Sequence, residues 1–182
     1  MKRAIVTPAV LPDSALAELK QWLGITTAHD DALLTDLLRT AIDICEAFTG
    51  VMPLEADCEE VLAARSGWLC LSTRPVLAMT GIDVLAADGT RTPLAAEAFE
   101  FDLLADGTGQ IRLLQRGNAT RIAVQFSAGL APDWDSLPET LRHGIIRLAA
   151  HQHREREGSG ASPVPPAAVA ALWQPWRRMR LT

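Results

Sequence analysis

The chain has 182 residues, a mass of 19.7 kDa and a formal net charge of −5 at pH 7. Its hydrophobic fraction of 48 % and charged fraction of 21 % predict one modest folded domain with appendages, which excludes bulk disorder and a large multidomain enzyme. No apolar run approaches the roughly 20 residues of a membrane-spanning helix, and no signal-peptide core follows the N-terminus, so we expect a cytoplasmic chain without membrane contact.

Two helices are predicted within the first fifty residues. The first spans 13–24, can be capped by Asp13 or Ser14, and carries apolar residues at three-to-four-residue spacing. The second spans 29–49 and has acidic residues in its first turn, where the helix dipole favours anions. Each helix ends beside a glycine, the residue that most often terminates a helix in the left-handed conformation.

Strands are predicted between residues 51 and 129, where apolar residues recur at every second position. Asp88-Gly89 and Asp106-Gly107 are turn signals that predict two hairpins in this region. We expect one small antiparallel sheet with one face against the helices. The strands predicted in this way are 68–72, 79–86, 90–94, 99–103, 110–114 and 121–127.

A third helix is predicted at 137–157, beginning with the capping-box pattern of residues 136–139. The glycine- and serine-rich residues 158–163 predict a flexible hinge, followed by a short helix at 167–173. The sequence thus predicts an α+β fold, in which three main helices form a bundle with a small antiparallel β-sheet and a mobile C-terminal helix and tail follow. We expect a folded core at 1–157 and a hinge with a docking segment at 158–182.

Charge is unevenly distributed along the chain. From residue 13 to residue 60 there are eleven acidic residues and two basic ones, whereas ten arginines and five acidic residues occur from residue 112 onward. An acidic N-terminal part and a basic C-terminal part suit head-to-tail assembly or binding to two different partners. They are equally compatible with two solvated surfaces that bind nothing.

Neither the cysteines nor the histidines predict a reactive site. Cys45, Cys58 and Cys70 are odd in number and lack metal-ligand spacing, so we expect buried side chains in a reducing compartment. His151 and His153 point about 200° apart on a helix, which favours a solvated helix end over a metal site.

No motif of a nucleotide-binding loop, nucleophile elbow or metalloprotease is present in the sequence. Residues 106–109 are rich in glycine, but they join two strands and precede no helix that could bind a phosphate. We therefore expect no enzyme, with no catalytic residue, cofactor or metal. A small hydrolase with an unrecognised site is a weaker alternative.

The tail beyond the hinge interleaves large apolar residues with arginines, a composition typical of interface hot spots. This pattern predicts a segment that docks onto another protein. One alternative is that the last helix folds back onto its own domain, and a lesser one is nucleic-acid or membrane contact through the arginines. The candidate binding residues are Trp173, Trp176, Arg177, Arg178, Met179, Arg180 and Leu181.

Four stretches in a fixed order carry a family resemblance. They comprise a first helix, a second helix with its stop, a last strand with the third helix, and a closing motif, and they lie at 14–23, 30–50, 126–155 and 164–181. In this order they resemble the head–tail connector, or adaptor, proteins of long-tailed phages and of phage-derived gene transfer agents.

The resemblance implies a virion structural protein, made in the bacterial cytoplasm and located in the neck of a phage-like particle. Such adaptors form a ring, commonly of twelve copies, between the portal protein and the stopper or tail-terminator protein, and DNA passes non-specifically through the centre. The family's C-terminal segment generally contacts the portal. This role carries over to the seven tail residues named above, and we expect removal of 158–182 to leave a folded subunit that no longer binds portal.

A DNA channel favours weak contact with phosphates, because each neutralised phosphate adds affinity that would hold the duplex in place. We therefore expect acidic residues of the second helix, such as Asp36 and Asp43, to border the channel. The alternative function is a sequence-independent nucleic-acid-binding accessory protein that uses the arginine-rich C-terminal third. Salt-dependent binding of the isolated chain to duplex DNA would favour that alternative.

Overall fold

The computed structural model describes residues 2–115, 119–155 and 164–177. The chain divides into two units, and each unit is formed by two separate stretches of sequence. The sheet unit comprises Met1–Ala9 and Glu55–Leu130, and the helical unit comprises Val10–Leu54 and Ala131–Thr182. The predicted α+β class is confirmed, because helices and antiparallel strands both make up the fold.

The helical unit contains four α-helices among its described residues. They are α1 (Asp13–Leu23), α2 (Asp31–Thr49), α3 (Glu139–Arg154) and α4 (Ala167–Trp173), and a 3₁₀ turn follows at Gln174–Trp176. The predicted short C-terminal helix is therefore present with the expected bounds. The hinge predicted at 158–163 lies outside the described residues.

The apolar stripe of each long helix forms the core of the helical unit. On α2 the buried residues recur every three to four positions, as an amphipathic helix requires. They pack with buried residues of α1 and α3, and the core also contains Trp134 and Trp173, neither of which has any exposed surface. The buried residues on α2 are Leu34, Leu38, Ala41, Cys45 and Thr49.

Most helix bounds agree with the sequence analysis: α1 and α4 begin where predicted, and α1, α2 and α4 end within one residue of the predicted position. α2 and α3 each begin two residues later than predicted, and α3 ends at Arg154 where 157 was predicted. Gly50 ends α2 with a φ of 72°, and its N–H donates to the Glu46 carbonyl over 2.7 Å. The predicted side-chain caps are absent at α1 and α3, whose first residues follow Pro12 and Pro138. Pro138 keeps an extended ψ of 131°, so α3 begins only after it and the capping-box geometry cannot form.

The sheet unit contains two antiparallel sheets, where the sequence analysis predicted one. The five-stranded sheet has the order β1-β2-β8-β4-β5, and the three-stranded sheet has the order β3-β7-β6. The single-sheet prediction is wrong because β7 pairs with both β3 and β6, so these three strands form a separate sheet. The strands are β1 (Lys2–Thr7), β2 (Ala56–Ala63), β3 (Trp68–Cys70), β4 (Val76–Leu85), β5 (Arg91–Pro93), β6 (Phe99–Leu103), β7 (Gly109–Leu113) and β8 (Arg121–Ala128).

The two sheets meet near the start of β7. A Cβ atom at Gly109 would lie 3.0 Å from Leu71 Cδ1 and 3.1 Å from Val76 Cγ2, so the glycine allows close packing there. One face of β8 is fully buried, and its residues pair with apolar residues of β2 and β4, except that Val124 lies opposite Glu60 on β2. Those buried residues of β8 are Ile122, Val124, Phe126 and Ala128.

Two of the three cysteines are buried, as predicted. Burial raises the pKa of the Cys45 thiol to about 12, and Cys58 is buried on β2 opposite Phe126 of β8. The prediction for Cys70 is wrong: its side chain is exposed, because it lies on the outer face of β3 opposite Gln110. In the part of the chain that the structure describes, no helix is long and apolar enough to cross a membrane.

Candidate partner-docking site

The start of the C-terminal segment is anchored in the core of the helical unit. Trp173, the last residue of α4, is fully buried, and its indole N–H donates to the Leu141 carbonyl over 3.4 Å. Its ring lies 5.9 Å from the ring of Phe48 on α2, measured between centroids. The ring also lies against Gly144 on α3, where no Cβ atom would fit. Trp173 is therefore held between α2 and α3.

The 3₁₀ turn after α4 and the residue that follows it also contact α2 and α3. The indole N–H of Trp176 donates to the Thr140 hydroxyl over 3.0 Å, and the side chain is half-buried. The guanidinium of Arg177 lies 5.2 Å from the centroid of the Phe48 ring, a cation–π distance, while the residue is exposed to solvent. The segment thus folds back onto its own unit as far as Arg177.

The predicted set of tail residues is therefore not uniform in position. Trp173 is internal, Trp176 lies at the surface with its polar atom bonded to α3, and Arg177 is exposed. Arg178, Met179, Arg180 and Leu181 lie outside the described residues. A partner that approaches this conformation meets Arg177 and the outer surface of Trp176 first.

An open groove of about 310 Å³ borders this surface. Glu18 of α1 is fixed on one side, since it accepts a hydrogen bond from the Trp134 indole over 3.1 Å and lies 3.7 Å from Nε of Arg142. The groove has a polar, mixed-charge lining, which suits a polypeptide rather than an apolar ligand. Its lining residues are Glu18, Glu139, Thr140, Arg142, His143 and Leu172.

A half-exposed tryptophan lies beside this groove. Trp22 has 46 % of its surface exposed, and its ring meets the groove residue His143 edge-to-face at 5.2 Å. The sequence analysis considered only the spacing of the apolar residues in the first helix, which does not reveal that Trp22 is exposed. The position of Trp22 in the last turn of that helix could have indicated its exposure, because an apolar residue at the end of a helix can extend beyond the core.

The two aspartates predicted to border a channel both lie on the solvent-facing side of α2. Asp36 and Asp43 are seven residues apart, or about two helical turns and 10 Å, and therefore share one face. Both are exposed, and Asp36 lies 3.2 Å from Nη1 of Arg39. The face that carries them can meet an external surface without disturbing the buried stripe.

A buried carboxylate in the sheet unit has all its hydrogen bonds with the loop between β3 and β4. Glu60 on β2 has no exposed surface, and its two oxygens accept four hydrogen bonds of 2.7–3.0 Å from the backbone N–H and hydroxyl groups of Ser72 and Thr73. These donors occupy the acceptor positions that a substrate would need. Glu60 therefore fixes the connection between β3 and β4, and nothing in its environment indicates acid–base chemistry.

A polar network crosses the outer face of the five-stranded sheet. The Arg91 guanidinium donates to both carboxylate oxygens of Glu59, and the Gln125 amide joins Glu59 to Asp83 at 3.3 and 2.9 Å. The hydrogen bond from Arg91, assisted by Gln125, lowers the pKa of Glu59 against the opposing effect of burial. This arrangement joins β2, β8, β4 and β5 by their side chains.

His151 and His153, for which the sequence analysis favoured a solvated helix end, lie in the last turn of α3. His151 lies 3.1 Å from Glu155, while His143 contacts Trp22 one face away. Within residues 2–115, 119–155 and 164–177, no group of three or more histidine, cysteine, aspartate or glutamate side chains is arranged to hold a metal ion.

Comparison with known proteins adds structural relatives but no sequence family. No family model matches the chain, and no curated protein sequence matches it. Solved structures do match over its whole length. A chain from the neck of an empty gene transfer agent (GTA) particle, computed with C6 symmetry, is 28 % identical with a TM-score of 0.77, and the alignment covers 100 % of this chain and 98 % of that chain.

Two further structures match with the same coverage of both chains. A chain from the virion of a native GTA particle is 27 % identical with a TM-score of 0.75. A chain from the neck of a native GTA particle, computed with C12 symmetry, is 28 % identical with a TM-score of 0.75. The chain is thus similar from end to end to proteins of GTA necks, and its resemblance to the head–tail connector family is confirmed.

Proposed function

We propose that this chain is a virion structural protein, a head–tail adaptor in the neck of a phage-like particle. The observation that carries the proposal is the end-to-end likeness to chains from GTA necks, at a TM-score of up to 0.77. Both units of the chain contribute to that likeness, since the alignment covers 100 % of its length. The particle contains the protein after assembly, and synthesis takes place in the host bacterial cytoplasm.

The adaptor forms a ring, with about twelve copies around the particle axis, between the portal protein and the stopper or tail-terminator protein. Support comes from relatives in necks computed with sixfold and twelvefold symmetry. A ring of identical subunits needs two different, complementary surfaces on each copy. The uneven distribution of acidic and basic residues along the sequence is compatible with such head-to-tail contacts.

The C-terminal segment is the portal-binding element in this proposal. Trp173 anchors it in the helical unit, and Trp176 and Arg177 bring the chain to the surface next to the α1–α3 groove. The residues that follow, Arg178, Met179, Arg180 and Leu181, then reach the portal. Arginines beside large apolar side chains are the residue types that contribute most to such interfaces.

The exposed acidic face of α2 borders the DNA channel. Asp36 and Asp43 repel phosphates, which keeps the passing duplex from binding tightly. The role of the protein is therefore mechanical, and the chain converts no substrate. Among the described residues, Glu60 is the one fully buried carboxylate, and it is saturated by hydrogen bonds from the loop of Ser72 and Thr73.

Electron microscopy of particles with and without the gene tests the proposal. We expect a ring of this chain between portal and tail in wild-type particles, and tailless, DNA-filled heads when the gene is deleted. Normal tails on the deletion particles would contradict it. Salt-dependent binding of the purified chain to duplex DNA, together with normal tails, would favour the nucleic-acid-binding alternative.

A further inference from the structure

The sheet unit has two long strands whose outer sides are open. β1 is one edge of the five-stranded sheet, and β6 is one edge of the three-stranded sheet. Within the described residues, no other strand pairs with the outer side of either one. An edge strand offers unpaired backbone N–H and C=O groups, to which a further strand can bind.

The second half of β1 presents an apolar edge, although a register shift between Ile5 and Thr7 makes its pairing with β2 irregular. All four residues from Ala4 to Thr7 are exposed, and Ile5 and Val6 have 42 % and 62 % of their surfaces exposed. No proline or charged side chain interrupts these four residues. Long, apolar edges of this kind are sites of aggregation in a monomer, so natural proteins normally cover them.

The remaining edges are poor partners for a six-residue strand. β5, at the far edge of the five-stranded sheet, has three residues and ends at Pro93, which lacks an N–H. β3 also has only three residues. β6 has five residues and ends in Leu103, which is 42 % exposed.

The two open strands carry opposite charges. β1 begins with Lys2 and Arg3, and β6 contains Glu100 and Asp102. Glu100 accepts a hydrogen bond from Nε of Arg112 over 2.9 Å, so its charge is balanced within the sheet. Asp102 accepts a hydrogen bond from the neutral amide of Gln110 over 2.9 Å, which leaves its negative charge at the β6 edge.

We propose that β1 of one copy pairs with β6 of the neighbouring copy, so that the two sheets join across the subunit boundary. The strands are similar in length, at six and five residues, each has at least one exposed apolar side chain, and their charges are opposite. Because the two edges are different surfaces of the same chain, the contact is head-to-tail and can close into a ring. This inference rests on the proposed ring, and it identifies which surfaces meet.

Cysteine cross-linking in purified particles tests the contact. The background is Cys70→Ser, because Cys70 is the exposed native thiol among three cysteines. In this background we combine Ile5→Cys with Leu103→Cys and treat particles with a short bismaleimide. We expect a ladder of covalent multimers. The matched control combines Ile5→Cys with Thr92→Cys on β5 and should remain monomeric.

The outcomes separate the contact from the ring itself. If the variant chain is present in the necks and gives no more multimers than the control, the β1–β6 contact is wrong while the adaptor function stands. Covalent dimers from Ile5→Cys alone would also overturn the contact, because they indicate β1–β1 pairing. Absence of the wild-type chain from particles would instead refute the proposed function.

A charge exchange gives a second test that needs no new cysteine. Asp102→Arg places like charges on the two edges, and we expect at least tenfold fewer tailed particles. Adding Lys2→Glu should restore tailing. Both variant chains must show wild-type thermal unfolding when purified, which excludes misfolding. Wild-type tailing by Asp102→Arg, or a failure of the exchange to restore tailing, would overturn the proposal.

Discussion

The indole of Trp173 fills the space in which a side chain at Gly144 would lie. A Cβ atom built at position 144 would be 2.8 Å from Cε2 of that ring and still closer to Nε1. Since Trp173 is fully buried, the ring cannot move outward without opening the core. The glycine in the middle of α3 therefore serves the docking of α4, at the expense of intrinsic helix propensity.

Gly144→Ala should destabilise the protein. Helix propensity alone would stabilise α3 by about 1 kcal/mol. Overpacking against a buried ring costs about 1–3 kcal/mol and more when the ring cannot shift, so we expect a net loss of about 2 kcal/mol. Denaturant unfolding monitored by tryptophan fluorescence measures it.

The matched control is the same substitution in a chain that carries Trp173→Leu. Because the smaller side chain leaves room at position 144, the alanine should then cost little or stabilise, which gives a coupling energy above about 1 kcal/mol between the two sites. Additive effects would show that the ring and the glycine are energetically independent.

Two truncations should separate folding from docking. Removing 158–182 deletes Val169 and Trp173 from the core, so we now expect a loss of at least about 3 kcal/mol in the free energy of unfolding, in place of the folded subunit expected from the sequence. Ending the chain after Arg177 keeps both residues and should leave stability within about 0.5 kcal/mol of wild type.

Only the shorter truncation tests portal binding cleanly. A chain that ends after Arg177 should be folded and should fail to co-purify with portal. Undiminished co-purification would show that the last five residues are dispensable for that contact.

Glu60→Gln should destabilise the sheet unit by about 2–4 kcal/mol. Three of the four hydrogen bonds go to Oε1 and one goes to Oε2, so an amide N–H group in place of either oxygen faces at least one buried donor and removes its hydrogen bond. Thermal unfolding and the amide chemical shifts of these two residues measure the effect. Glu97→Gln, at an exposed site, is the control and should be neutral; equal stability of both variants would refute the role of Glu60.

Glu59 should contribute to the loss of stability in acid. Its pKa is lowered from the ordinary value of 4.5 in the folded state, mainly by the hydrogen bond from Arg91. A lowered folded-state pKa means that the contribution is present above about pH 4.5 and is lost as the pH falls through the folded value. Below pH 4.5, the free energy of unfolding of Glu59→Gln should therefore decrease less steeply with falling pH than that of wild type. Urea unfolding at a series of pH values measures this, and parallel curves for the two proteins would contradict it.

Reversing the charge of the exposed α2 face should affect DNA passage and leave folding unchanged. Asp36→Arg removes the exposed ion pair of Asp36 with Arg39, which is worth about 0.5 kcal/mol or less, and Asp43→Arg completes the charge reversal of this face. In particles, the two arginines should bind phosphates and slow DNA release, more strongly at low salt. Asp36→Asn with Asp43→Asn is the control for loss of charge. If particles that carry both arginines release DNA at the wild-type rate, then positions 36 and 43 do not border the channel.

The helices could be predicted from the sequence because their signals are local. Apolar spacing and terminal glycines placed α1 and α2 within two residues of their bounds, and Pro165-Pro166 before an apolar run indicated α4. The proline-delayed start of α3 was missed, since the capping-box pattern says nothing about ψ at Pro138.

β1 and β2 were not predicted, because their signals are not local. β2 has Glu60 on its buried face, which breaks the apolar alternation, and only the donors of a loop twelve residues later explain that burial. β1 has exposed apolar residues and acquires its structure by pairing with β2, more than fifty residues further along the chain. The split into two sheets likewise depends on long-range pairing.

At the candidate docking site too, local features could be predicted from the sequence and long-range contacts could not. Residue types identified the C-terminal segment, but they could not show that Trp173 is an internal anchor while Arg177 is external. That difference depends on the missing side chain at Gly144, thirty residues earlier. The contacts of Glu18 and Trp22 beside the groove were missed for the same reason.

Each unit of the chain is assembled from two separate stretches, and the sheet unit combines Met1–Ala9 with Glu55–Leu130. During synthesis this unit cannot be completed until β8 has left the ribosome. β1 therefore remains without its partner strand β2 while both early helices are made. A single genetic crossover between the codons of β1 and β2 would also leave β1 with a foreign partner. Within codons 10–54 such a crossover would divide both units at once, because each is completed by residues from the far side of the junction.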